Sequence, residues 1–192
     1  WVVSDEIYSE IVFEGSAPSV LNFDTDERCL VVSGVSKTYA MTGYRIGFTR
    51  GRVDYINVAA KLQEPFVSCG TAFSQYAAAA ALDGPQDCVA EMRAAYLRRR
   101  DIALDVLRAR GLYQYTPGGA FYVLVDISAT AMDSRDFAVQ LLKEKRVAVA
   151  PGSTFGRLSA ASVRVSVASR DEDVREGVGR ICDFIAERKA AK

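Results

Sequence analysis

Residues 33–48 read SGVSKTYAMTGYRIGF, and this stretch decides how the rest of the sequence is interpreted. It contains one lysine, Lys37, and one arginine, Arg45, among small and apolar neighbours. The apolar residues 30–33 predict a strand that ends shortly before Lys37. Open α/β sheets bind their ligands outside the carboxyl ends of the strands. We therefore expect a ligand site around Lys37.

A second strand is predicted at residues 1–4, and the acidic residue Asp5 follows its end. Tyr8 lies three positions further on. If both strands end at the same edge of one sheet, Asp5 and Tyr8 lie on the same side of the sheet as Lys37. A carboxylate and a phenol would then stand near the amine.

Arg45 is predicted to start a third strand, over residues 44–49. Its neighbours Tyr44 and Ile46 are expected to be buried. A buried guanidinium needs an anionic partner, because removing a charge from water without one is costly. Arg45 is therefore a candidate anion-binding residue.

An amine, a carboxylate, a phenol and a guanidinium together suit one cofactor, pyridoxal 5′-phosphate. The amine meets the aldehyde, the carboxylate meets the ring nitrogen, the phenol donates to the ring oxygen, and the guanidinium meets the phosphate. A protonated ring nitrogen lets the ring accept electrons from a substrate carbanion. The chain of 192 residues has no histidine, so another side chain must serve as the general base. The same lysine can take this role and move the proton.

The order of predicted elements indicates an α/β fold in two parts. Strands and helices alternate in both halves. We predict the end of a large sheet domain at residues 1–86, an inter-domain helix at 87–110 and a smaller α+β domain at 111–192. Within the last of these, Pro117-Gly118-Gly119 is expected to form a hairpin turn between two strands.

Composition excludes several classes of function. Lys plus Arg and Asp plus Glu are both 24, so the net charge favours neither nucleic acid nor an anionic membrane. The absence of histidine excludes Ser-His-Asp and Cys-His catalysis within this chain, and no metal site is predicted. The four cysteines form no CxxC pair, which is typical of reduced thiols in the cytoplasm.

Residues 36–47, SKTYAMTGYRIG, resemble the Schiff-base motif of the class I/II pyridoxal-phosphate aminotransferases, the aspartate aminotransferase superfamily. Four further blocks resemble motifs of that family and occur in the family's order: SDEIY at 4–8, PGGAFYVLVDI at 117–127, VAVAPGSTFG at 147–156 and VRVSVAS at 163–169. The blocks span nearly the whole chain but correspond only to the C-terminal half of such an enzyme. The resemblance thus implies a chain truncated at its N-terminus.

The resemblance implies a role for each candidate residue. Lys37 matches the Schiff-base lysine and proton shuttle, Asp5 the partner of the ring nitrogen and Tyr8 the donor to the ring oxygen. Arg45 matches the phosphate-binding arginine. Arg164 matches the arginine that binds the substrate's α-carboxylate, for which a planar guanidinium is well suited; the alternative for Arg164 is a structural salt bridge.

One position departs from the family pattern. The family often has a phosphate-binding serine three residues before the lysine, and this chain has Gly34 there. Ser36 or a backbone N–H is the expected substitute in phosphate binding.

The implied activity is the transfer of an amino group from an amino acid to a 2-oxo acid, in a cytoplasmic homodimer without nucleic-acid or membrane partners. Two alternatives stay open. The same scaffold supports β-elimination and decarboxylation, and the chain as given could be a non-catalytic piece. We expect these 192 residues alone to have little or no turnover.

Overall fold

The computed structural model describes residues 1–189, and these form two compact units that divide between Arg93 and Ala94. The division falls within a long helix, at residues predicted as inter-domain. The predicted domain bounds 1–86, 87–110 and 111–192 stay a prediction, and residues 190–192 lie outside the described residues.

The first unit contains a three-stranded sheet and the helices that follow it. The strands are β1 (Val2–Asp5), β2 (Cys29–Gly34) and β3 (Gly47–Arg50), in the order β1-β2-β3. The helices are α1 (Val35–Thr38), α2 (Val53–Val67) and α3 (Ala72–Asp83), and α4 (Asp87–Ala109) begins in this unit. Strands β1 and β2 are parallel, and β2 and β3 are antiparallel.

Many large apolar side chains of the first unit are exposed. Its buried apolar residues are few: Ile11, Cys29, Val31, Val35 and Ala78. Helix α2 has no buried residue, and Phe66 near its end is 80% exposed. Helix α2 continues through Pro65 to Val67, because a proline removes only one helical hydrogen bond and Ser68 N–H closes the last turn on Glu64 O at 2.9 Å.

The second unit has a small antiparallel sheet covered by helices. Its strands are β4 (Tyr122–Asp126), β5 (Ala150–Pro151) and β6 (Ser162–Ser166), in the order β4-β6-β5, and its helices are α5 (Ser134–Lys145) and α6 (Asp171–Lys189). Asp133 caps α5 by accepting hydrogen bonds from the backbone N–H groups of Arg135 and Asp136. The core is apolar and includes Val123, Val163, Phe137, Leu141, Ile181, Phe184, Leu104 and Leu107. This unit therefore contains most of the buried core of the described chain.

The alternation of strands and helices confirms the predicted α/β fold class, but the predicted hairpin before β4 is wrong. Residues 113–116 form no strand. Side chains of α4 hold this segment instead: the buried Arg100 donates from Nη1 to Pro117 O at 2.9 Å, and the Arg108 guanidinium lies 4.6 Å from the centre of the Tyr113 ring. The hydroxyl of Tyr115, rather than its backbone, accepts from the N–H of Leu124 at 3.3 Å.

No helix among residues 1–189 is both long and apolar enough to cross a lipid bilayer.

Candidate functional site

Asp5 and Lys37 follow the carboxyl ends of two neighbouring parallel strands. Asp5 is the last residue of β1 and lies opposite Val32 in β2. Lys37 comes five residues after Val32, in the short helix α1 that directly continues β2. Because β1 and β2 run in the same direction, both side chains belong to the same edge of the sheet.

Helix α1 is a single turn with one buried side and one accessible side. Val35 is fully buried and Thr38 is 8% exposed, so residues three apart face the interior. Ser36 and Lys37, between them, are half-buried. Within the described chain the Lys37 amine takes part in none of the hydrogen bonds and ion pairs. The amine is therefore available to a ligand.

The Asp5 carboxylate is exposed and makes few hydrogen bonds, whereas the neighbouring Glu6 carboxylate makes several. Asp5 Oδ1 accepts the N–H of Ile7 at 3.1 Å. One oxygen of Glu6 instead accepts hydrogen bonds from Ser4 Oγ at 3.3 Å, Ser19 Oγ at 3.0 Å and the N–H of Val20 at 2.9 Å. Glu6 thus anchors the loop after β1, and Asp5 keeps an oxygen for a donor outside this loop.

Tyr8 lies in the turn that follows β1 and is half-buried. Its carbonyl accepts the N–H of Ile11 at 2.9 Å, and Ile11 is buried. This contact fixes the backbone of Tyr8 beside the strand end that carries Asp5.

Arg45 lies outside the strand in which it was predicted. It follows a 3-10 turn (Thr42–Tyr44), has φ 56° and ψ 40°, and donates from Nη1 to Thr42 O at 3.0 Å. Strand β3 begins only at Gly47, because its ladder with β2 starts at the Gly34–Gly47 pair. The expected burial around Arg45 is also wrong, since Arg45 is exposed and Tyr44 is 42% exposed.

The Gly34–Gly47 pair explains why glycine precedes the lysine by three residues. A Cβ on Gly34 would lie 2.8 Å from Ile46 O and 2.9 Å from Gly47 Cα, well inside ordinary contact distance. Both neighbours are backbone atoms of the adjoining segment. A serine at position 34 would therefore require β2 and β3 to move apart, so the serine often found in the family does not fit this chain without a shift.

Arg164 lies in the middle of the second unit's sheet, in β6, opposite Leu124 and Ala150. Its guanidinium carbon is 4.1 Å from the ring centre of Tyr122 and 4.1 Å from that of Phe155. Two rings thus hold the guanidinium, and none of the ion pairs among residues 1–189 includes it. The structural salt bridge considered as the alternative is absent from that part of the chain.

Tyr122 and Phe155 are residues that the sequence interpretation did not single out. Both belong to blocks that resemble the family, at 117–127 and 147–156. Tyr122 precedes Leu124 by two residues in β4, so it lies on the face of the sheet that carries Arg164. Strand alternation could have found Tyr122, whereas Phe155 lies in a 3-10 turn and gives no such signal.

The first unit fits pyridoxal phosphate in its donor set. An unpaired amine and a lightly bonded carboxylate stand at one edge of a parallel sheet, and that edge is where α/β sheets bind ligands. Ser36 and Arg45 add a hydroxyl and a cation on the segment around the lysine.

The fold is that of an aminotransferase-type α/β protein, and comparison with known proteins identifies the family. The profile described as "Aminotransferase class I and II" matches residues 1–181. The chain is 38% identical over 200 residues to an aspartate/prephenate aminotransferase of Cereibacter sphaeroides, with 97% of this chain and 50% of that protein covered. It is 36% identical over 191 residues to a probable N-acetyl-LL-diaminopimelate aminotransferase of Bacillus subtilis, with 100% and 48% covered.

Among solved structures, an aromatic aminotransferase from Pyrococcus horikoshii superposes with a TM-score of 0.90 at 39% identity, over 97% of this chain and 51% of that one. The chain therefore belongs to the class I and II aminotransferase family, and its resemblance to the C-terminal half of these enzymes is confirmed. The chain spans about half the length of the curated relatives it matches.

Proposed function

We propose that the protein acts in a pyridoxal-phosphate-dependent aminotransferase, which moves an amino group from an amino acid to a 2-oxo acid. The observation that carries this proposal is the parallel pair of β1 and β2, with Asp5 and Lys37 at one carboxyl edge, in a chain matched to the family over residues 1–181. The transferred group, the substrates and the partners concern the complete protein.

The chain's own residues have distinct tasks toward the cofactor. The Lys37 amine holds the cofactor's aldehyde and afterwards moves the substrate's α-proton. Asp5 keeps the ring nitrogen protonated, Tyr8 donates to the ring oxygen, and Arg45 together with Ser36 holds the phosphate. When bound, pyridoxal phosphate supplies a ring that accepts electrons from the substrate's α-carbon.

Arg164 binds the α-carboxylate of the substrate. Support comes from its surroundings: the rings of Tyr122 and Phe155 orient the guanidinium, and within residues 1–189 it has no carboxylate partner. A planar fork meets a carboxylate through two parallel hydrogen bonds, so it selects that group over a single acceptor.

A cytoplasmic homodimer is part of the proposal. Exposed apolar side chains on α2 and α3 support contact with another polypeptide, since Phe66, Phe73 and Tyr76 are 80%, 69% and 79% exposed. We propose a second copy as that partner in the complete protein, and a reducing compartment on the basis of the cysteine pattern. The 192 residues alone are expected to have little or no turnover.

Reductive trapping tests the central residue. The chain is incubated with pyridoxal phosphate, reduced with borohydride and digested, and the modified lysine is identified by mass spectrometry. We expect the label on Lys37, and loss of the visible band of the lysine-bound cofactor in Lys37→Ala but not in Lys61→Ala, an exposed lysine of α2 in the same unit. Equal labelling of Lys37 and Lys61 would refute the proposal.

Product analysis of the complete protein tests the reaction. A panel of amino acids is supplied with and without 2-oxoglutarate. A strict need for the 2-oxo acid is expected for amino transfer. Turnover that continues without an acceptor would identify the elimination or decarboxylation alternative instead.

A further inference from the structure

The turn that carries Lys37 is tied to a distant part of the sequence by one tyrosine. Tyr39 follows α1 directly, and its N–H donates to Val35 O at 3.2 Å. Its hydroxyl donates to Gln86 Oε1 at 2.8 Å, across 47 positions of sequence. The bond therefore joins the Lys37 segment to the loop between α3 and α4.

The Gln86 amide is hydrogen-bonded through both its nitrogen and its oxygen. Its Nε2 donates to Gly84 O at 2.7 Å and to Ala81 O at 3.0 Å. Those carbonyls belong to the end of α3 and the residue after it, where a helix leaves acceptors without an intrahelical partner. With Nε2 held by the carbonyls of Ala81 and Gly84, Oε1 is turned toward Tyr39.

A single helical turn does not persist on its own, because nucleating a helix costs more than one turn regains. Helix α1 has four residues, so its geometry depends on what its neighbours hold in place. Buried Val35 and Thr38 fix one side of it. The Tyr39–Gln86 bond fixes its end, two residues from Lys37.

We propose that Gln86 is a positioning residue, which acts through the Tyr39 hydroxyl to hold the Lys37 turn in the orientation that receives the cofactor. This inference rests on the proposed role of Lys37. Gln86 also caps α3, and the cap alone is the competing explanation for its bonds. The two roles separate in Tyr39→Phe, which removes the hydroxyl and leaves the Gln86–α3 bonds intact.

The test uses the complete protein and two readouts, at a pH and temperature where all variants are folded. The first is amide hydrogen exchange of residues 35–40 without cofactor. The second is the dissociation constant of pyridoxal phosphate, measured by absorbance. The net loss of one hydrogen bond changes an equilibrium constant by a factor of about three to ten. We expect exchange about three- to tenfold faster, and cofactor binding weaker by a similar factor, in both Tyr39→Phe and Gln86→Leu.

The double variant gives the sharpest result. Because Tyr39 and Gln86 act through one bond, Tyr39→Phe combined with Gln86→Leu should weaken cofactor binding no more than Gln86→Leu alone. Gln75→Leu is the matched control, since Gln75 Nε2 donates to Gly70 O at 2.7 Å beside the other end of α3. This control should leave exchange of residues 35–40 unchanged.

Each remaining outcome decides the question. Unchanged exchange and binding in Tyr39→Phe, with lower global stability in Gln86→Leu, would leave Gln86 as a cap only and overturn the inference. Acceleration in Gln75→Leu equal to that in Gln86→Leu would overturn it as well. A complete wild-type protein that does not attach the cofactor to Lys37 would refute the proposed function, while the cofactor-free exchange would still report on the link.

Discussion

Replacing Gly34 by serine tests how closely β2 and β3 approach beside the lysine turn. In the structure, a Cβ at Gly34 would meet Ile46 O at 2.8 Å and Gly47 Cα at 2.9 Å, where ordinary contacts are 3.4–4 Å. The two strands would have to separate locally by about half an ångström, and both contacts are backbone atoms that no rotamer change can move. Overpacking of this kind costs about 1–3 kcal/mol.

The matched control is Gly43→Ser in the same loop. A Cβ at Gly43 would meet nothing within 4 Å, and its φ lies outside the left-handed region. Both substitutions restrict the unfolded chain by the same amount, about 0.4–1 kcal/mol, so this effect cancels in the comparison. Gly34→Ser should therefore be about 1–3 kcal/mol less stable than Gly43→Ser.

Urea unfolding followed by tryptophan fluorescence measures this difference. The chain has one tryptophan, Trp1, which lies in the first unit with its ring 4.3 Å from that of Tyr55, so the signal reports on that unit. The free energies of unfolding of the two serine variants are compared on condition that their m-values, the slopes of free energy against urea concentration, are equal. A difference below about 0.5 kcal/mol between the two serine variants would refute the crowding argument.

Three further predictions concern the second unit. Gly152→Ala should destabilise it by about 3 kcal/mol or more relative to Gly118→Ala, because only the former's Cβ would strike backbone carbonyls; calorimetry that finds equal melting temperatures would contradict this. Hydrogen bonds from Arg98 lower the pKa of Asp171 to about 2 from its ordinary 3.8. The contribution of Asp171 to the free energy of unfolding should therefore be present above pH 4 and be lost as pH falls to 2. Thermal melts should show a flatter dependence on pH in Asp171→Asn. In the complete enzyme, Arg164→Gln should raise KM for the amino acid about ten- to a hundredfold; an unchanged KM would exclude carboxylate binding.

The shared edge of Asp5 and Lys37 could be predicted because local signals sufficed. Each residue follows an apolar strand, and the connection between the strands, residues 6–28, is long enough for a parallel crossover. The position of Arg45 could not be predicted in the same way. Where β3 begins depends on the pairing of Gly34 with Gly47, and that contact is invisible to residue propensities.

The missing hairpin has a similar cause. Pro117-Gly118-Gly119 is a strong local turn signal, yet residues 113–116 form no strand. A turn sequence predicts a change of direction but not what its flanks bond to. Here the buried Arg100 binds the carbonyl of Pro117, and a long-range contact of this kind overrides the local preference.

The surroundings of Arg164 favour a substrate carboxylate over a structural role. Eight arginines of the second unit form ion pairs with acidic residues: Arg98, Arg99, Arg100, Arg108, Arg110, Arg170, Arg180 and Arg188. Five other arginines within residues 94–189 form no such pair. Four of them are exposed: Arg135, Arg146, Arg157 and Arg175. Arg164 alone among them is half-buried, between two rings that attract a cation but cannot neutralise it. A half-buried charge held in this way is stabilised when an anion arrives, so the sequence of β6 is better explained by a bound carboxylate than by the needs of folding.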